Sequence, residues 1–320
     1  MAEPRYAASP GTQGVRVNLT RTPTVRSRFE ALIRASLFGA AALSVATTIA
    51  IVASMLFETI DFFGDVPVFD FLFGTHWTPT LRQEQQSFGV LPLIWGTVYV
   101  SLIALVVAVP LGLLSAIYLA EYAPPRVRKT VKPVLEVLAG VPTIVFGYFA
   151  LTFFTPEILQ ALLNVRVGVF NALGAGIVMG LLVLPTIASV AEDAMTAVPA
   201  SLREGAFGLG ASKLQVSIRI VFPAALSGIV AALVLGASRA IGETVLVLVA
   251  GGQDPNMSVD PRESHQTMAA FIASIARGDL PTGSTEYKTL FAVGFTLLVM
   301  TLILNIASIR LVRRYRQVYE

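Results

Sequence analysis

Six long apolar blocks constrain the fold of this chain more than any other feature. They cover about residues 37–57, 94–118, 134–154, 168–190, 224–250 and 290–311. Each is close to the roughly 20 residues that a helix needs to cross a bilayer. Only 13% of the 320 residues are charged, against about 25% in a typical soluble domain. Because the blocks are continuous, we predict an all-α membrane protein with six transmembrane helices.

The distribution of basic residues predicts the orientation of the blocks. Most of the 23 lysines and arginines lie before the first block, after the second and fourth blocks, and at the C-terminal end. These segments fall on one side of the membrane, which the positive-inside rule assigns to the cytoplasm. We therefore predict that both termini are cytoplasmic. The connections 58–93 and 251–289, here called the first and second long loops, are then external, and the aromatic residues of the first predict a short interfacial helix.

The segment before the first block is predicted to be a tail. Residues 1–36 carry six arginines together with several prolines and glycines, so we expect a cytoplasmic and largely disordered tail. We expect no cleavable signal peptide, because the first apolar run begins only near Leu37. Residues 37–93 then hold the first transmembrane helix and the first long loop, and 313–320 form a cytoplasmic C-terminal tail.

The polar segment 199–223, here called the hairpin, lies between the fourth and fifth blocks. Ser201 and Glu204 have the spacing of a capping box, which predicts that a short helix starts there. Glycines end this helix, and a second helical segment over 211–221 is predicted to run into Pro223. A simple connector needs fewer residues, so the hairpin indicates a docking element, with a surface hairpin that has no partner as the alternative.

Small residues and prolines within the blocks predict close and bent packing. Glycine or alanine recurs at short intervals in the fourth and fifth blocks, which lets helices approach one another, and prolines inside blocks favour kinks. The positions concerned are Gly174, Gly176, Gly180, Gly228, Ala232 and Gly236, with Pro110, Pro142 and Pro185.

Arg239 and Glu243 are the charged residues near the centre of a block. Since they are four positions apart, we predict that they share one helix face and pair. A charge at mid-bilayer costs about 2.5–3.5 kcal/mol on insertion scales, which favours a functional role. A buried structural pair is the alternative. Because Pro223 leads directly into this block, the hairpin and Arg239 are predicted to lie on one continuous element.

The two residue types indicate the kind of ligand. Arginine offers a fork of donors suited to oxyanions, whereas an ionised glutamate only accepts hydrogen bonds. An anion beside Glu243 must therefore carry a proton, as phosphate does at neutral pH and sulfate does not. This favours a protonated oxyanion as the transported species, and Arg239 and Glu243 are predicted to line its path.

Several functions are excluded by residues that are missing. The sequence has no cysteine, which excludes disulfides and thiolate sites. It has no GxxxxGK[ST] loop, so we predict that the chain is not an enzyme and does not hydrolyse ATP. His76 and His265 lie in different long loops, so we expect no metal site, and no feature indicates nucleic-acid binding. Acidic residues at block ends are interpreted as interfacial for Glu121 and Glu136, and as closing the fourth block for Glu192 and Asp193.

The hairpin resembles the EAA motif of permeases from ABC importers, in which EAA is followed by glycine, nine residues and I-x-L-P. The matching positions are Glu204, Gly205, Ala206, Gly210, Ile220 and Pro223. Gly205 replaces the middle alanine and Phe222 the leucine. The resemblance implies that the hairpin, with Ser201, forms coupling helices that sit in a cleft of an ATPase subunit.

Three further stretches resemble the PstC-type permeases of phosphate importers. They are residues 118–129, 135–151 and 238–252. In that subfamily, the arginine and glutamate that match Arg239 and Glu243 are associated with phosphate passage. Val245-Leu246 replaces the usual Met-Ala of the third stretch.

The resemblance implies an assembly as well as a fold. Residues 94–312 would form a type I ABC permease core, paired with a second homologous permease. ATPase subunits would dock at 199–223, and an extracytoplasmic phosphate-binding protein at 58–93 and 251–289. The chain would be a multi-pass protein of the bacterial inner membrane, in contact with the lipid bilayer. It would bind no cofactor, since the partner subunit uses the ATP.

Three alternatives stay open at this point. The substrate is another oxyanion, such as sulfate, molybdate or a phosphonate. The chain is an ion-coupled secondary transporter with Glu243 as its proton site, which leaves the hairpin without a purpose. The chain is a membrane scaffold or sensor, which leaves Arg239 unexplained.

Overall fold

The computed structural model describes residues 25–81, 83–278 and 280–315, and the chain divides into two compact units, Met1–Ser54 and Met55–Glu320. The helices are α1 (Val25–Asp65), α2 (Val68–Phe73), α3 (Leu91–Ile117), α4 (Pro125–Ala139), α5 (Thr143–Phe149), α6 (Ala172–Thr196), α7 (Ala200–Gly208), α8 (Lys213–Val216), α9 (Phe222–Ala224), α10 (Leu226–Ile241), α11 (Val245–Ala250), α12 (Met268–Ile275) and α13 (Thr285–Tyr315). Three π-helical segments, Tyr118–Tyr122, Ala150–Leu162 and Ser217–Val221, continue α3, α5 and α8. A 3-10 turn, Gln83–Gln85, lies in the first long loop.

The predicted all-helical membrane fold is confirmed. Five helical segments of the described residues are long and apolar enough to cross a membrane, and a bent pair of helices supplies a sixth. The described residues contain no β-strand beyond one isolated bridge between Trp77 and Phe88. The predicted N-terminal tail lies outside the described residues up to residue 24, and from Val25 the chain is helical. Of the predicted C-terminal tail, residues 316–320 lie outside the described part.

The predicted third span, 134–154, is wrong in position. The helix α4 ends at Ala139, and a new helix begins at Thr143 after Pro142. Proline has no N–H to continue a helix, and α4 is amphipathic with no buried residue. The helix that is apolar enough to span is Thr143–Leu162. The apolar end of α4 had merged with it in the sequence pattern.

The predicted fifth span, 224–250, is broken. The helix α10 ends at Ile241, Gly242 follows it, and α11 starts at Val245. At the start of α10, the helical segments Lys213–Ala224 and Leu226–Ile241 meet at an angle of 72°. The prediction that the hairpin and Arg239 lie on one continuous element is therefore wrong, because a sharp bend separates them.

The predicted close packing at small residues is confirmed in the core. The helix α3 packs along α6, where a Cβ on Gly180 would lie 2.8 Å from the carbonyl oxygen of Ala104. A Cβ on Gly236 of α10 would lie 2.6 Å from the side chain of Ile187. Both distances are shorter than any normal contact, so glycine is needed at these two positions. The helices α3, α6 and α10 thus form a tightly packed centre.

The two long loops pack against each other. The first long loop contains α2, which matches the predicted short helix. The Trp77 ring of this loop lies 4.9 Å from the ring of Phe271 in α12, which belongs to the second long loop. The second lies over the start of α3, where Trp95 Nε1 donates to the carbonyl oxygen of Ser258 at 2.8 Å. Tyr99 also donates to the carbonyl oxygen of Val259 at 2.6 Å. Both loops are therefore ordered parts of the fold.

Candidate functional site

The hairpin has the predicted helix–turn–helix form but a different cap. The first helix, α7, begins at Ala200 directly after Pro199, and it has no side-chain cap. The predicted capping box of Ser201 and Glu204 is therefore wrong, because Ser201 already lies inside the first turn. The capping box is formed in the second half, where Ser212 Oγ accepts from Gln215 N, and Gln215 Oε1 accepts from Ser212 N.

The turn of the hairpin presents open apolar surface. Gly210 has φ +82°, a left-handed conformation that favours glycine. No other atom lies within 4 Å of a Cβ placed at Gly205, Gly208 or Gly210. Next to them, Leu209 is 92% exposed, and Phe207 and Leu214 are also exposed. Exposed apolar surface of this kind is typical of an interaction site.

The inner side of the hairpin is fixed to the helix bundle by Arg203. Its Nε and Nη2 donate to Glu121 Oε1 at 3.2 and 3.1 Å. Nη1 donates to the carbonyl oxygen of Val198 at 2.5 Å, and Nη2 to that of Met195 at 2.7 Å. The Glu121 side chain is only 6% exposed. The interpretation of Glu121 as an interfacial residue is therefore wrong, and it is a buried partner of the hairpin.

A second contact joins the hairpin to the same place. The ammonium group of Lys213, in α8, lies 5.0 Å from the centre of the Tyr122 ring, within the range of a cation–π interaction. Tyr122 directly follows Glu121 in the π-helical segment that ends α3. The two halves of the hairpin thus contact adjacent residues.

A buried carboxylate, Glu192, joins α4 to α6. It is fully buried, forms an ion pair with Arg128, and accepts from Lys132 Nζ at 2.7 Å. Lys132 also pairs with Asp193. Burial lowers the pKa of Lys132, but hydrogen bonds with Asp193 and Glu192 outweigh that effect and raise the pKa above its usual value. Glu192 does close the fourth block, and it also anchors α4.

Arg239 lies in the last turn of α10 and has only neutral partners. Its Nη1 donates to Thr186 Oγ1 at 2.7 Å, and its Nη2 donates to the carbonyl oxygen of Ala139 at 3.3 Å. Thr186 follows Pro185 within α6, and Ala139 is the last residue of α4. The guanidinium has five N–H donors, and in the described part of the chain the others have no acceptor. The charge of Arg239 is therefore not neutralised by any described carboxylate.

Glu243 lies beyond the end of α10, in the break before α11. It is 8% exposed, and its Oε1 accepts from Leu246 N at 3.2 Å, which caps the start of α11. No ion pair joins Glu243 to Arg239 among the described residues. The predicted pair is wrong because Gly242 ends the helix between them, and glycine after a periodic segment is a common helix stop. That glycine was the signal in the sequence.

The arrangement is suited to an oxyanion. A guanidinium with spare donors can bind an oxyanion by charge-assisted hydrogen bonds. Glu243, in the helix break four positions later, can accept a hydrogen bond from a protonated group. No group of three or more histidine, aspartate or glutamate side chains suits a metal ion within the described ranges.

Comparison with known proteins identifies the family. Residues 108–317 match the family described as "binding-protein-dependent transport system inner membrane component". A probable ABC transporter permease protein, YqgH of Bacillus subtilis, is 37% identical over 72% of this chain and 74% of its own length. The phosphate transport system permease protein PstC of Mesorhizobium japonicum is 33% identical over 91% of this chain and 95% of its own.

A solved structure shows the same fold. It is that of a bacterial alginate ABC transporter in complex with a periplasmic protein that holds an alginate pentasaccharide. It aligns with a TM-score of 0.62 at 17% identity, over 89% of this chain and 97% of the other. This chain belongs to the family of inner membrane components of binding-protein-dependent transport systems and, within it, to the PstC-type permeases.

Proposed function

We propose that this chain is a transmembrane subunit of an ABC importer for inorganic phosphate in the bacterial inner membrane. Arg239 carries the proposal, because its charge has only neutral partners and its spare donors suit a phosphate oxyanion. The names of its PstC relatives support the same substrate. A second, homologous permease would complete the path through the bilayer, and both termini would face the cytoplasm.

The proposed anion path uses Arg239 and Glu243 in different ways. Arg239 makes a weak, transient contact with the anion, since a tight site would not release it. Glu243 accepts a hydrogen bond from the protonated oxygen of hydrogen phosphate and repels an anion without such a proton. Because Glu243 is held by the Leu246 amide rather than by Arg239, neither side chain neutralises the other among the described residues. This arrangement favours phosphate over sulfate.

The hairpin is the proposed site of coupling to ATP hydrolysis. Its exposed tip, with Phe207, Leu209 and Leu214, provides an apolar surface for the cleft of an ATPase subunit. Glu204 and Ser201 are exposed on α7 beside it. The ATPase subunits bind and hydrolyse the ATP, so this chain needs no cofactor of its own.

The two long loops are the proposed docking surface for an extracytoplasmic phosphate-binding protein. They pack on each other through Trp77 and Phe271, so they present one continuous face. Within this face, hydrogen bonds from Arg262 lower the pKa of Asp260 to about 2. Asp260 and Arg262 therefore both stay charged at physiological pH, and the surface keeps a fixed charge pattern.

Reconstitution tests the proposal. The chain is purified with its partner permease and ATPase subunits, placed in proteoliposomes, and supplied with the binding protein. ATP-dependent uptake of labelled phosphate is expected, with sulfate, molybdate and a phosphonate as competing anions. Preference for one of those anions would overturn the assignment of phosphate. Uptake without ATPase subunits that is abolished by a proton uncoupler would identify an ion-coupled transporter instead.

A further inference from the structure

The hairpin is attached to the end of α3 at two adjacent residues. Arg203, from the first half of the hairpin, forms an ion pair with Glu121 at 3.1 Å. Lys213, from the second half, lies over the ring of Tyr122. Both contacts fall in the π-helical segment Tyr118–Tyr122, and such segments occur frequently at functional sites.

The Arg203 contact is stiff because it is largely buried and Arg203 donates four hydrogen bonds. The Arg203 side chain is 20% exposed and that of Glu121 is 6% exposed. Arg203 also donates to the carbonyl oxygens of Met195 and Val198 at the end of α6. Separating such a pair leaves a buried carboxylate without its counter-ion, which is strongly unfavourable. A displacement of α7 is therefore passed to Glu121 rather than absorbed at the contact.

Besides its direct connection to the end of α6 through residues 197–199, the hairpin has two routes into the bundle, and these two differ in continuity. The route along the chain turns by 72° before α10. The route through Glu121 enters α3, which is one helix from Leu91 to Ile117 and contains Pro110. Along α6, a Cβ on Gly112 of α3 would lie 2.9 Å from Ile187, so α3 has little freedom to move without α6. Packed helices of this kind shift as rigid bodies.

We infer that the ion pair between Arg203 and Glu121 is the link through which the hairpin moves α3, with Glu121 as a positioning residue. The inference rests on the proposed function only for the origin of the force, which is the ATPase. It assigns the transmission to a side-chain contact between the hairpin and the end of α3 rather than to the backbone of the fifth block.

The first test measures coupling in the reconstituted complex. In Glu121→Gln, the ATPase subunits still co-purify and ATP is still hydrolysed, because the exposed tip is unchanged. Phosphate transported per ATP is expected to fall at least about five-fold, the lower end of typical coupling effects. Arg203→Lys keeps the charge but loses the fork of donors. Its ratio of phosphate transported to ATP hydrolysed should therefore lie between that of Glu121→Gln and that of the wild type.

Asp193→Asn is the matched control for this test. Asp193 is an exposed carboxylate of α6, and its described ion pair is with Lys132 of α4 rather than with the hairpin. Its ratio of transport to hydrolysis should equal that of the wild type. The inference is overturned if Glu121→Gln keeps the wild-type ratio, or if it loses the ATPase subunits, since Glu121 would then serve docking.

The second test does not depend on the substrate. Because the chain has no cysteine, spin labels can be placed on cysteines introduced at Ile218, in the hairpin but outside its tip, and at Leu114, both exposed. The distance distribution between the labels should be narrow in the complex and broaden in Glu121→Gln, with Asp193→Asn unchanged. Equal distributions would overturn the link. If the wild-type complex carries no phosphate, the proposed function fails while this measurement still decides the inference.

Discussion

Two arginines, Arg203 and Arg239, lie at comparable junctions of three segments but have opposite surroundings. Arg203 joins the hairpin to the ends of α3 and α6, and its donors are used by a buried carboxylate and two carbonyl oxygens. Arg239 joins α10 to α4 and α6 through a hydroxyl and one carbonyl oxygen. Among the described residues, a carboxylate neutralises the charge at the first junction and none does so at the second.

The difference separates a structural charge from an available one. A buried arginine that is paired with a carboxylate fixes its neighbours and offers nothing to a ligand. An arginine with neutral partners and spare donors holds its position by weaker bonds and keeps its affinity for an anion. In the proposed mechanism, the same residue type transmits movement at one junction and contacts the substrate at the other.

The largest effect is expected on stability when Arg203 is removed. Arg203→Ala leaves Glu121 buried without a counter-ion, which should lower the free energy of unfolding by about 3–5 kcal/mol. Arg239→Ala should lower it by about 1 kcal/mol or less, because only neutral acceptors lose a donor. Unfolding in mixed micelles measures both variants. Equal losses of stability would contradict the difference drawn between the surroundings of Arg203 and Arg239.

Phosphate uptake, unlike stability, is expected to depend strongly on Arg239. Arg239→Ala should reduce uptake at least about 30-fold, which corresponds to about 2 kcal/mol for a desolvated charged contact. The ATPase subunits should still co-purify. Arg126→Ala, which removes an exposed cation of α4, is the control and should transport normally. Near-normal uptake by Arg239→Ala would refute its role.

Selectivity should depend on Glu243. Glu243→Gln keeps an oxygen that can accept from the Leu246 amide, so α11 stays capped, but it removes the negative charge. The preference for phosphate over sulfate should fall about ten-fold, as expected for the loss of a hydrogen bond to a charged group. Exchange of labelled anions in proteoliposomes without the binding protein measures it. An unchanged preference would count against Glu243 as the proton acceptor.

The smallest effect concerns the caps of the hairpin. Ser212→Ala removes an observed cap and should destabilise the second half of the hairpin by about 1 kcal/mol. Ser201→Ala lies within α7 and should change stability by a few tenths of that, since serine and alanine differ little inside a helix. Hydrogen exchange of the backbone amides measures both. A larger loss of stability in Ser201→Ala than in Ser212→Ala would instead support the cap predicted at Ser201.

The sequence was a good guide to composition-driven features and a poor one to helix ends. Long apolar blocks and a glycine turn depend on local chemistry, so the all-helical fold and the hairpin could be predicted. The residues on both sides of Pro142 are apolar, so the sequence pattern joined the end of α4 to the helix that begins at Thr143. The third block was therefore misplaced. The cap at Ser201 failed for a similar reason, since Pro199 sets the helix start earlier.

Contacts between residues that are far apart in the sequence could not be predicted from the sequence pattern. Glu121 and Arg203 are 82 positions apart, and nothing in either neighbourhood indicates that they meet. Arg239 and Glu243 could be selected by their charge in an apolar block. Their pairing depended on the helix end at Ile241, which Gly242 indicates but which the spacing of the two charges alone does not give.

The most direct test of the available charge at Arg239 is chemical restoration. Because the chain has no cysteine, Arg239→Cys can be modified with methanethiosulfonate reagents that attach an ethylammonium or an ethylsulfonate group. Phosphate uptake by the reconstituted complex should be lost in the variant, return in part with the cationic group, and stay lost with the anionic one. Equal recovery with both groups, or normal uptake before modification, would contradict the account.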